Sequence, residues 1–445
     1  MKRIVLLTGI LLLVFSCFVA AQPFNWTYVE DFVTDVSAPH GLVVDLSGNI
    51  WVQPYTVADT VVLTATDTLV VSALHVYDPS GSQIGLYWHG DLPGIGADTF
   101  AYTGRGISED NNGNILVSNG YQYRINYQTG AFMNRYDWKD DYWSLTESAA
   151  DQNGFIYCTR VVPAGDALWI LDPNFQLYSI GIDSVFLITR SVVVSPDGND
   201  IYIGAIYPPA GAVHYHSDFG PDAPYTVVDT LLGPDPSKGL WGQILDWDPM
   251  SHIWVGSYGG SDAAPTDYHG WYSMDPATNN VFQDSIGQNI AEIDTNYVPG
   301  DLPPGGTFLS PRGIDFWEEN DGTWTAYTAD FDGNAVKKWT NPDPFTGTII
   351  VDNGAARISQ FELRQNYPNP FNPTTTIPFT LRKAADVKLQ IYNVNGQLVT
   401  TLVNKRMAAG SYEIPFDAGK LASGTYFYRV KFDDKIQTKR MMLLK

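Results

Sequence analysis

Six residues share one position relative to six recurring turns, and their types suggest ligand chemistry. Eight places before the turn anchors at 48, 113, 154, 198 and 251 stand His40, Arg105, Thr146, Arg190 and Gln243; Arg312 joins them if the sixth copy carries a short insertion. Guanidinium groups present planar, paired donors, so Arg105, Arg190 and Arg312 converging with His40 and Gln243 suit an anionic or hydroxyl-rich ligand. The competing expectation is structural: each arginine pairs with a neighbouring carboxylate such as Glu147 or Asp315.

Other candidate chemistry is thinner. His214 and His216 alternate on one strand face, a spacing that serves a metal site or simple packing. Asp330-Phe-Asp332-Gly-Asn334 resembles part of a calcium loop but lacks the distal Glu, and a hairpin turn accounts for it better. There is no G-x-S-x-G, no H-E-x-x-H and no phosphate loop. No cofactor is implied beyond Ca²⁺ held by acidic loops. Once a signal segment is removed, Cys158 is the single thiol, so no intrachain disulfide forms and a buried strand thiol is expected.

The elements that position these residues come from a repeat: an apolar alternating run, an Asp, a Gly turn, and a second apolar run. Examples are Gly41-Leu-Val-Val-Asp45-Leu-Ser-Gly48-Asn-Ile-Trp-Val52 and Gly106-Ile-Ser-Glu-Asp110-Asn-Asn-Gly113-Asn-Ile-Leu-Val117. Further copies turn at Gly154, Gly198, Ser251 (without the Gly) and Gly322. A second hairpin signature follows, as at Leu74–Gly81, Leu168–Asn174 and Trp271–Thr278, where Asp-Pro opens the turn. Each unit therefore holds four strands, A to D, and six units predict an all-β, six-bladed β-propeller. Seven blades or two stacked sandwiches are the alternative arrangements. The A–B and C–D turns are short. The D–A and B–C loops, including 53–73, 86–104, 220–239, 257–270 and 283–310, are long and share one face, where the six residues above should lie.

Composition separates this region from the tail. The 445 residues carry a formal charge of −22, which excludes nucleic acid as a main partner. Residues 361–445 hold 13 Lys+Arg against 6 Asp+Glu, net +7, leaving −29 on residues 1–360 together with all 13 Trp. Trp51, Trp169, Trp254 and Trp271 sit in strand positions suited to cores. Trp88, Trp138, Trp143, Trp241 and Trp317 sit in loops where exposure would favour glycan contact. At the N-terminus, Lys2-Arg3, an apolar run and Val19-Ala20-Ala21 read as a secretory signal over 1–21, with no later segment of membrane-spanning length.

Two resemblances follow from these residues. The repeats over roughly 36–352 resemble NHL-repeat and gluconolactonase-like propellers. The lactonases' resemblance implies a divalent metal held by carboxylate and Asn residues at the channel mouth, but His40 stands where their first-blade Glu is expected. The tail closely resembles the type A C-terminal sorting domain of the type IX secretion system, found in the Bacteroidetes and allied phyla. The motif Asn366-Tyr367-Pro368-Asn369-Pro370-Phe371-Asn372-Pro373 carries it, with Gly396 in Ile391–Gly396, Gly410 and Tyr412, Gly424 and Tyr426, and Lys439 in the closing Lys439–Lys445. Alternation with Gly turns in that tail predicts a small Ig-like antiparallel sandwich.

The expected organisation is a signal peptide at 1–21, a propeller at 22–353, a linker at 354–360 and the sorting domain at 361–445. The expected function is ligand or surface binding by an exported, surface or secreted protein. The sorting resemblance implies the type IX machinery as partner, and a glycan or anionic small molecule is the ligand class. An enzyme acting on sugars or lactones at the channel mouth, or a structural surface protein, is the alternative.

Overall fold

The computed structural model describes residues 26–444, apart from 138–144, 258–267, 290–306, 342–360 and shorter stretches. The signal segment, the linker, Gly396, Trp138 and Trp143 lie outside the described residues. No α-helix occurs among those described, only a 3-10 turn at Gly220–Asp222.

Six four-stranded antiparallel sheets occur among residues 27–341. Five take their strands in chain order, the first with a hairpin inserted between its second and third, with inner strands Pro39–Val44, Gly106–Glu109, Leu145–Ala150, Ile188–Val194 and Gly242–Trp247. The sixth runs Pro311–Glu318, Trp324–Asp330, Ala335–Asn341, and takes its outer strand, Thr27–Val33, from the other end of the region. Each inner strand lies against the inner strand of the next sheet, and the sixth lies against the first, so the arrangement is ring-like and propeller-like. The repeats alone, which begin at 36, did not reveal this exchange.

The turns explain the regularity. Gly48, Gly113, Gly154, Gly198 and Gly322 adopt φ values of 76–88°, a left-handed conformation cheap only for glycine. Ser251 fills the same place at φ 67°. In each of the first three copies the Asp side chain accepts backbone N–H groups two and four residues on, as Asp45 does from Ser47 and Asn49. The same carboxylates reach the core: Asp45 accepts from Trp51 Nε1 at 2.9 Å, and Asp248 from Trp254 Nε1 at 3.0 Å.

Neighbouring sheets bury their faces against one another through Trp51, Trp254, Trp271, Tyr157 and Tyr327. Cys158 is buried and free, and burial pushes its thiol far up. Two long loops contain hairpins, Asp59–Thr64 with Asp67–Val71 and His89–Leu92 with Gly96–Thr99. The segment 220–239, expected as loop, instead holds the outer strand Thr226–Leu231.

The tail folds as two further sheets. Phe361–Leu363, Thr374–Leu381 and Gly410–Asp417 form one; Leu398–Met407, Ala385–Asn393, Gly424–Phe432 and Lys435–Leu443 form the other. They enclose a core of their own, with Ile377, Phe379 and Phe416 facing Leu389, Tyr428 and Val430. Alternation at 387–392, 397–402, 410–417 and 424–430 suggests four of these seven strands; Phe361–Leu363, Thr374–Leu381 and Lys435–Leu443 are additional.

Candidate functional site: the mouth of the ring

Five of the six inner strands break register with their neighbour at one height. The irregularity falls between Pro39 and Gly41, Leu145 and Ser148, Thr189 and Ser191, Gly242 and Ile244, and Pro311 and Gly313. An extra residue is inserted in each, and in four cases it is the sequence-derived candidate: His40, Arg190, Gln243 and Arg312. In the second sheet Arg105 holds the equivalent place, its N–H donating to Ser118 O while Gly106 pairs with the same Ser118. A bulge re-aims a side chain away from strand alternation, so these residues leave the sheet cores and turn to the ring's axis.

The side chains meet. The positive charges of Arg312, Arg105 and Arg190 all bear on His40, and burial together with those charges holds its imidazole well below the usual range, so it is neutral. His40 stacks on Tyr55 at 5.3 Å between ring centres and meets Phe331 edge-on at 5.8 Å. Arg105 lies over the Tyr55 ring at 4.9 Å and Arg312 over Phe331 at 5.0 Å. Arg312 Nη1 donates to Gln243 Oε1, and its Nε donates to Ser310 Oγ at 3.1 Å. Tyr55 and Phe331 each follow directly on the second strand of their sheet, which sets the cluster on the D–A and B–C face. Sequence reasoning missed both rings; their place just after strand B was the signal.

A second, acidic tier lies deeper along the same strands. Glu147 is next to the bulge, while Asp246 and Asp315 stand three residues beyond Gln243 and Arg312. Asp315 spans the seam between sixth and first sheets, accepting Val44 N–H at 2.7 Å. Burial, then the charges of Asp315 and Glu147, drive the Asp246 carboxyl well above the usual range; burial alone does so for Glu147. Gly106 makes room for this tier, since a Cβ there would stand 2.4 Å from Glu147 Cα.

Four buried polar atoms at this level have no hydrogen-bond partner among the described residues: His40 Nδ1, Arg105 Nε, Glu147 Oε2 and Ser191 Oγ. They come from four successive sheets. Each costs about 1–3 kcal/mol if left unsatisfied, and all four stand at or next to the bulge position of their inner strand, where a polar guest would meet them. The expected ion pair between these arginines and Glu147 is not formed among the described residues. Thr146 is tied to Thr159 within its own sheet.

The remaining candidates resolve into structure. His214 contacts Asp200 at 2.8 Å and Asp229 at 3.2 Å, and His216 contacts Asp200 and Asp218. No group of three His, Cys, Asp or Glu residues is arranged for a metal among the described residues. Asp330 is buried, accepting N–H groups of Leu309, Ser310 and Gly333, so this segment is a corner of the sixth sheet. Trp241 is buried, against the expectation of an exposed loop ring, while Trp88 and Trp317 are half-buried.

In the tail, the motif 366–373 is a clasp. Asn366 is buried; its N–H donates to Tyr428 Oη at 2.9 Å and its Nδ2 to Thr375 Oγ1 at 2.9 Å and Pro368 O at 3.2 Å. The bonds before Pro368 and Pro370 are cis. Phe371 enters the core and exchanges backbone hydrogen bonds with Met442 and Leu444, while Asn369 Oδ1 accepts Met442 N–H. Tyr367, Pro368, Asn369, Pro370, Asn372 and Pro373 stay exposed. Gly410 and Tyr426 are buried, Tyr412 and Lys439 half-buried, and Gly424 exposed.

Residues 365–444 match the family model of the secretion system C-terminal sorting domain. No curated protein matches the chain. Among solved structures, the chain is similar to PorZ of Porphyromonas gingivalis, described as an essential surface component of the type-IX secretion system. Identity there is 15% and TM-score 0.39 over 91% of this chain, which spans about half of that protein (51%). A gluconolactonase of Xanthomonas campestris matches at 10% identity and TM-score 0.45, over 72% of this chain and 91% of that one. An auxiliary nutrient binding protein of Bacteroides thetaiotaomicron matches at 11% and 0.43, over 69% and 70%.

Proposed function

We infer that the sorting domain at 365–444 directs export through the type IX secretion system, to the cell surface or the medium. We propose that its cargo is a six-bladed β-propeller, residues 22–353, that binds an anionic or hydroxyl-rich ligand at the mouth lined by His40, Arg105, Arg190, Gln243 and Arg312. Residues 1–21 act as the signal peptide, 354–360 as the linker and 361–445 as an Ig-like sandwich recognised by the secretion machinery. The observation that carries the binding reading is the gathering of three arginines around one buried, neutral histidine. That gathering occurs in a region of net charge −29, where cations are scarce. The three arginines are half-buried, and the guanidinium groups of Arg105 and Arg312 are set by the rings of Tyr55 and Phe331.

The test is calorimetric titration of the mature full-length chain with glucuronate, sulfate and glucose. Glucuronate should bind, and the double substitution Arg105→Ala with Arg190→Ala should weaken it at least tenfold. Unchanged binding with lowered thermal stability would assign these arginines to architecture instead.

A further inference from the structure

The ring mouth is charged in two layers, and only the upper one is used by an anion. Strands advance about 3.3 Å per residue, so the backbone of Glu147 stands about 3 Å, and that of Asp246 and Asp315 about 10 Å, beyond the arginine positions along their strands. The upper layer offers donors from Arg105, Arg190 and Arg312. The lower offers acceptors, and Glu147 Oε2, in a side chain more than nine-tenths buried, has none of its own donors among the described residues. A simple anion leaves that acceptor unmet, and an anion long enough to reach the acidic tier meets further acceptors instead of donors.

We propose that the guest is amphoteric: a small molecule whose carboxylate sits among Arg105, Arg190 and Arg312 and whose ammonium points down to Glu147, toward Asp246. This rests on the ligand-binding reading above and narrows its class. The axial order of charges selects both ends at once. The aromatic pair Tyr55 and Phe331 packs the connecting carbons, and Ser191 Oγ, in the next sheet, is a further polar atom without a partner among the described residues. Burial raises the Glu147 carboxyl, and an arriving ammonium supplies the positive partner that favours its ionised form.

The full-length chain is titrated with 4-aminobutyrate and with butyrate, which lacks only the ammonium, alongside glucuronate. The expected result is at least tenfold tighter binding of 4-aminobutyrate, with the gap closing in Glu147→Gln while butyrate is unaffected. Asp246→Asn provides a second variant should Glu147→Gln lower the folded fraction, and it should narrow the gap as well. Equal binding of the two probes, or a gap that survives both substitutions, overturns the amphoteric assignment. If glucuronate still binds in those cases, the anion site stands. If glucuronate, 4-aminobutyrate and butyrate all fail to bind, both readings fall together.

Discussion

Lys337 Nζ lies 3.0 Å from Asp31 Oδ1, joining residues 306 positions apart in the chain. This contact ties the outer strand Thr27–Val33 to the sixth sheet. Lys337 is fully buried, and its other carboxylate neighbour, Asp330, is 3.9 Å away. Removing Asp31 leaves a buried ammonium with one distant partner. Asp31→Ala should cost about 2–3 kcal/mol, below the full cost of breaking a buried pair because Asp31 still meets solvent. Lys337→Met should cost less, since it removes the charge as well as the bond. Urea denaturation of both variants checks the order; an equal or reversed order would mean this contact does not latch the ring.

Ser251 carries a backbone conformation that the other five copies give to glycine. A side chain in the left-handed region costs about 1 kcal/mol. Ser251→Gly should therefore raise stability by roughly 0.5–1 kcal/mol, and Gly198→Ala should lower it by more. At Gly198 a Cβ would also stand 2.6 Å from Tyr157 Oη and 2.7 Å from Asp151 Oδ2. Thermal melting of the two variants should move in opposite directions.

Asp151 should make the ring's stability depend on acidity. Burial pushes its carboxyl up from 3.8 to about 6, against the pull of N–H groups from Phe155 and Asn153. The folded state thus binds this proton more tightly than the unfolded chain. Its contribution is complete below pH 4 and is lost as pH rises through about 6. Denaturation midpoints of wild type and Asp151→Asn, compared between pH 4 and 7, should diverge with the variant flatter. Parallel curves would contradict this assignment.

Two changes in the tail separate address from fold. Deleting 361–445 should leave the protein in the periplasm, read by fractionation and surface labelling, while the ring keeps its own core. Asn366→Ala removes two side-chain hydrogen bonds within the clasp and should destabilise the tail by about 1–2 kcal/mol. Substitution of exposed Pro373 should leave stability intact, so a secretion defect there would identify a surface read by the machinery.

The sequence alone determined the parts whose chemistry is local. Asp-x-x-Gly turns between alternating runs fixed the hairpins, because positive φ and Asx hydrogen bonds depend on residues four apart or fewer. The same spacing put His40, Arg105, Arg190, Gln243 and Arg312 at one height, and the tail's motif declared its export role through residue order. Tertiary structure decided what depends on meeting across the ring. Closure by Thr27–Val33 pairs strands some 300 residues apart, and no local signal encodes a partner at that distance. The bulges that aim the arginines appear only once two strands are in register. Glu147 looked like a salt-bridge partner in sequence; in the fold its backbone packs on Gly106 and its Oε2 meets no donor among the described residues, which only the packing of one sheet on the next decides.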